Sequence, residues 1–129
     1  PTISSNLMVR PTEPEANPVV AFVDSLKAIR DALPQDTLVL PAHGLPFRGL
    51  HSRINALAAH HDQQLDQVQA ACRQHPHNAH DILPVMFNRE LDVQQLMFAM
   101  GESIAHLNCL VEQGRVQRED RNGVWHFAA

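Results

Sequence analysis

The sequence predicts a mainly α-helical chain that closes on a small β hairpin, with the element order of a winged-helix domain preceded by a long connecting helix and a helix and strand. Three observations predict it. Apolar residues return at helical spacing in three long stretches; the C-terminal stretch switches to alternation around an Asn-Gly pair; and from residue 50 the order runs helix, short helix, helix, two-strand hairpin. This order divides the chain into residues 1–50, a connecting helix over 51–75 and a winged helix over 76–129.

Taken in order, residues 1–18 hold Pro1, Pro11, Pro14 and Pro18 among Ser, Asn and Thr, which forbids a helix and leaves room for one short strand around Leu7 to Val9. Val19, Phe22, Val23, Leu26, Ile29 and Leu33 then form a helical stripe that Pro34 stops, giving a helix over about 18–33. Thr37-Leu38-Val39-Leu40, between Pro34-Gln35-Asp36 and Pro41, has the composition of a short buried strand. Beyond Gly49, Ile54, Leu57, Ala58, His61, Leu65, Val68 and Cys72 line one face of a helix over about 50–74, ended by His75-Pro76-His77-Asn78. A short helix is expected over about 79–87. Asp92 is a plausible N-cap for a third long helix with the stripe Val93, Leu96, Met97, Met100, Ile104, Leu107 and Val111, closed by Gly114. Two alternating runs around Asn122-Gly123 read as a tight hairpin.

Composition narrows the function classes. With 129 residues, 44% hydrophobic and 19% charged, the chain can bury a core, and its net charge of −4 does not suit a protein that coats nucleic acid. No apolar run approaches the roughly 20 residues of a membrane span. Cys72 and Cys109, far apart and unpatterned, suit a reducing compartment, so a cytoplasmic location is the expectation. The opening at Pro1 without an initiator Met or a signal sequence reads as a piece of a longer or processed chain.

Nine histidines invite a metal hypothesis. His43 follows the expected strand in a loop with Gly44, a place where ligands and catalytic groups are held. On spacing alone, its plainer reading is an exposed or hydrogen-bonded loop histidine. His77 and His80 have a usable i, i+3 spacing, but a polar turn explains them better. His60 and His61 point about 100° apart on a helix and cannot both address one ion. His61 and Cys72 lie in the apolar stripe as packing residues, Cys109 falls off the stripe of its helix, and neither thiol is a nucleophile candidate. Met86, Phe87, Met97, Phe98 and Met100 read as core.

One longer block carries a resemblance. Leu38-Val39-Leu40-Pro41-Ala42-His43-Gly44-Leu45-Pro46-Phe47, followed by Arg53-Ile54-x-x-Leu57-x-x-His60-His61, resembles the tail of the metallo-β-lactamase-fold hydrolases, usually L-x-x-P-G-H-G-P-P before a long helix. Pro1-Thr2-Ile3-Ser4-Ser5-Asn6 resembles the segment just after that family's metal-bridging Asp, and the closing elements resemble the winged-helix appendix of its β-lactamase-like and endoribonuclease-like branch. The resemblance implies that residues 1–50 are the last helix and strand of an αββα catalytic sandwich. It implies that His43 is the last ligand of a two-metal site, normally zinc, with Phe47 lining the cleft. The H-x-H-x-D-H cluster and the bridging Asp are absent from the sequence, and Ala42 stands where Gly is usual. Two ions sharing a water generate a nucleophile at neutral pH, which one imidazole cannot do. The parent is therefore expected to be a metal-dependent hydrolase, and this chain alone to be inactive and to bind metal weakly. Its implied partners are the missing N-terminal catalytic region, a small-molecule ester or thioester, or RNA, as the parent's substrate, and a second copy in a homodimer.

The alternative class is a non-enzymatic winged-helix module that binds a partner or nucleic acid. Charge speaks against the latter: residues 92–113 carry Asp92, Glu102 and Glu112 with no Lys or Arg, and residues 76–129 hold four Arg against seven carboxylates. Only Arg115, Arg118 and Arg121 of the wing could meet phosphate.

Overall fold

The computed structural model describes residues 7–129. Four helices and one hairpin follow one another: α1 (Pro18–Ala32), α2 (Leu50–Gln74), α3 (Leu83–Met86), α4 (Val93–Glu112), β1 (Gln117–Arg121) and β2 (Val124–Ala128). The fold is mainly helical with a two-stranded antiparallel sheet, as the periodicities predict.

Helix ends follow local chemistry. Pro18 opens α1 behind Asn17, whose side-chain oxygen accepts from the Val20 amide at 3.4 Å. Asp92 caps α4 in a reciprocal box with Gln95. Gly114, at φ 69°, supplies the left-handed residue that lets Arg115 N–H return to the Leu110 carbonyl at 2.9 Å. In the hairpin, Asn122 and Gly123 both take positive φ, 56° and 83°, which is the tight turn matched to the strand twist. Asp120 lies opposite Trp125 in the register, and its carboxylate accepts from the Gly123 amide at 2.8 Å.

α4 is the centre of the molecule. It lies against α1, α2 and α3, and everything from Ala99 to Leu110 is buried or half-buried. Leu107, Leu110, Ile82, Val68, Val19 and Phe127 are its best-shielded neighbours or members. The main chain of His77 exchanges two hydrogen bonds with that of Phe127, at 3.0 and 2.8 Å, which adds a one-residue antiparallel bridge beside β2. The turn read as polar therefore reaches into the core, with His77 only 8% exposed.

Several expectations are corrected. Residues 7–9 form no strand: Leu7 and Val9 are buried, and the chain is tied to α4 by Val9 N–H donating to the Gly101 carbonyl at 3.0 Å. Residues 37–40 reduce to a single bridge, Val39 with Phe47, because the described residues offer no neighbouring strand to complete a ladder. The short helix contracts to four residues, since Pro84 lacks the N–H that would extend it; an Asn78–Asp81 turn precedes it. Met97 and Phe98 are not core; they stand 56% and 39% exposed at the front of α4. Cys109 is buried, because α4 is surrounded on every side there. The segment Pro1 to Asn6 lies outside the described residues.

Candidate functional site

His43 is at the apex of a loop whose two ends are pinned. Val39 N–H donates to the Phe47 carbonyl at 2.8 Å and Phe47 N–H returns to Val39 at 3.1 Å, so the residues between project as one turn with His43 midway. Gly44 takes φ 92°, a conformation costly for any residue with a Cβ. The base of the turn is sewn to α2 by Gln35. Gly49 occupies the N-cap with no side chain to offer, and the Gln35 side-chain oxygen accepts from the His51 amide at 2.7 Å in its place. Its amide group donates to Ser52 Oγ at 2.9 Å, and its carbonyl accepts from Leu50 N–H at 3.1 Å. His51 Nε2 donates to the Leu33 carbonyl at 2.6 Å, and Arg48 to that of Asp36.

This loop, the second half of α1 and the start of α2 enclose a groove of about 940 Å³, and both His43 and Phe47 line it. Its walls are apolar: Leu26, Ile29 and Leu33 from α1, Ile54 and Leu57 from α2. Leu38, Leu40 and Leu45 are 52%, 74% and 85% exposed. An apolar surface of this kind is a surface for burial against something else.

The described residues do not assemble a metal centre around His43: no group of three or more His, Cys, Asp or Glu side chains gathers among them. One imidazole does not satisfy zinc. His75 and His77 stack at 4.0 Å, while His80 is exposed. Burial pushes the Cys72 thiol up to about 11 and raises that of Cys109, so both are inert.

Sequence reasoning missed one constellation. His61 of α2 and His106 of α4, 1% and 0% exposed, face each other with Nδ1 and Nε2 3.3 Å apart. His106 Nδ1 donates to the Glu102 carbonyl at 2.9 Å. A neutral imidazole has one N–H, so His106 Nε2 accepts and His61 Nδ1 donates. His61 Nε2 is then a bare acceptor, buried without a partner. Phe22 of α1 meets the His61 ring edge-on at 5.8 Å, and His60 lies 5.4 Å away. Burial depresses both imidazoles, taking His61 to about 4. The clue to His106 was the nearly unbroken apolar run of α4 around it, which a surface helix would not carry.

The three arginines at the hairpin are engaged within the chain. Arg115 pairs with Asp66 at 2.6 Å, Arg121 with Glu119 at 3.1 Å, and Arg118 with Glu15 while lying 3.9 Å over the Trp125 ring.

Comparison with known proteins decides the family. The family described as metallo-beta-lactamase-like, C-terminal domain, matches residues 65–129. The chain belongs to this family. Among solved structures, this metallo-beta-lactamase-like chain is similar to a beta-lactamase domain protein from Burkholderia ambifaria, with 48% identity and a TM-score of 0.92 over 98% of its length. It is also similar to a metallo-beta-lactamase family protein from Thermus thermophilus, with 27% identity and a TM-score of 0.80, again over 98%. It spans 38% of the length of each of those chains. Among curated proteins none matches. Among the described residues no helix is long and apolar enough to cross a membrane.

Proposed function

We propose that this chain is the C-terminal region of a metal-dependent hydrolase of the metallo-β-lactamase superfamily. Residues 1–50 belong to its catalytic αββα sandwich, residues 51–75 connect, and residues 76–129 are a winged helix packed beside the hydrolytic site. The observation that carries the reading is the extent of the likeness. At 48% identity it takes in 98% of the chain, the His43 loop with it, instead of starting at residue 65 where the family match begins.

In this reading His43 gives one imidazole to a site of two zinc ions whose other ligands come from chain outside this sequence, and Phe47 borders the substrate cleft. The groove supports it: a loop fixed at Val39 and Phe47 holds an imidazole beside apolar walls that call for a cover. The described residues supply one donor to that site, and the bound ions would supply the activated water. The winged-helix reading rests on the order of α2, the His77 bridge, α3, α4, β1 and β2, with the bridge residue pairing to β2. The paired wing arginines and an α4 without cations make nucleic-acid binding the weaker alternative. A small-molecule ester or thioester is the favoured substrate class.

The test is metal content. The chain is produced with its natural upstream coding sequence, and zinc is counted by mass spectrometry in the wild type and in His43→Ala. The expected result is about two ions per chain in the wild type, with loss of metal and of ester hydrolysis in the variant. Unchanged metal and activity in His43→Ala would overturn the assignment.

A further inference from the structure

We propose that the buried His61–His106 pair is an acid-operated latch that holds α1 against α2 and α4, and that proton uptake at His61 Nε2 releases α1 and opens the groove it walls. The geometry gives the pair one direction of polarity. Glu102 carbonyl, His106 and His61 form a relay in which each N–H has an acceptor, and it ends at an acceptor with nothing to receive. That orphan nitrogen is where a proton goes. The imidazolium so formed carries a second N–H with no acceptor, in a buried site, which is costly until the ring reaches water.

Phe22, set edge-on to the His61 ring, is what α1 contributes to its cover. Of the three long helices α1 is also the least buried, with Val19 alone fully buried against seven residues in α2 and nine in α4. Its second half, with Leu26, Ile29 and Leu33, is a wall of the groove. The titratable neighbours of the pair are His60 on α2 and Glu102 one turn before His106 on α4. His60 opposes protonation when charged, and burial raises the Glu102 carboxyl, so that group offers less negative charge to the imidazolium than a free carboxylate. No Lys or Arg meets either ring among the hydrogen bonds and ion pairs of the described residues.

The His61 imidazole is held at about 4 against an ordinary 6.5. If the released ring recovers the ordinary value, opening rises roughly 25-fold between about pH 7.5 and about pH 5. Amide hydrogen exchange of the full chain, followed by NMR at those two pH values and corrected for intrinsic chemistry, reads this directly. Expected is a loss of α1 protection roughly 25-fold greater than that of α4, with ring ¹⁵N shifts placing the proton on Nδ1 of both neutral histidines. His61→Phe should abolish the pH dependence of α1. Phe22→Leu, which leaves the pair intact and thins its cover, should move the loosening to higher pH. α1 and α4 losing protection together, α1 unchanged at the lower pH, an Nε2–H tautomer at His61, or no shift in Phe22→Leu would each overturn the latch.

Discussion

Gly101→Ala sets two effects of known sign against each other. Gly101 lies inside α4 with ordinary helical backbone, so alanine there gains about 1 kcal/mol of helix propensity. Opposing this, a Cβ at Gly101 would stand 2.9 Å from Met8 Cβ and 3.2 Å from the Val9 carbonyl oxygen. Neither atom can swing away, since Met8 Cβ is fixed to the main chain and the other is main chain. The segment 7–9 must back off by several tenths of an ångström. That weakens the 3.0 Å bond from Val9 N–H to the Gly101 carbonyl and loosens the packing of Leu7 and Val9. Overpacking costs about 1–3 kcal/mol and the weakened bond about 1, so the net expectation is a loss of about 1–3 kcal/mol. Urea unfolding followed by far-UV circular dichroism measures it as a lower midpoint at unchanged slope. A variant more stable than wild type by about 1 kcal/mol would mean that the segment is not docked, and the reasoning would fail.

The buried imidazoles make overall stability depend on pH. Because the folded value of His61 lies near 4 and the unfolded one near 6.5, the unfolded chain binds more protons between them. Stability therefore declines as pH falls through that window, by up to about 3 kcal/mol for this group, and is level above about pH 7; a flat profile from about pH 7 to 5 refutes this. Leu40 and Leu45 stand so far out that the chain by itself should self-associate with concentration in sedimentation. Leu40→Glu with Leu45→Glu should run as a monomer, and a wild type monomeric at every concentration would count against the groove as a surface that needs cover. Arg118→Ala removes the Glu15 pair and the stack on Trp125, at a cost of about 0.5–1 kcal/mol and with a red shift of Trp125 emission. An unchanged spectrum would dissolve that contact. RNA should show no gel shift with the chain at about 150 mM salt; a clear shift would revive the nucleic-acid reading.

What could be read in advance was whatever depends on neighbours in sequence. The limits of α2, the Asp92 cap, Gly114 and the Asn122-Gly123 turn all follow from local chemistry and appear where expected. Failures came where a distant segment decides. The surroundings of Cys109 and His106 depend on α4 being enclosed, which a single-stripe reading denies. Leu7 to Val9 left room for a short strand, yet their partner is a helix glycine more than ninety positions on. At the candidate site, the loop position of His43 was legible because Pro41, Gly44 and Pro46 leave little else to form. The groove was not, since it is made by α1, the loop and α2 together.

The start of α2 has no cap of its own, and borrows one from Gln35 across the loop that carries His43. The front turn of α2 and that loop therefore form or dissolve as one event, while the remainder of the helix, buried at Leu65, Val68 and Cys72, has independent support. The Gln35 side chain is the tie that joins these two parts, beside the His51–Leu33 and Arg48–Asp36 bonds that hold the loop to its base. Replacing that one side chain reaches the site without touching any residue that lines it.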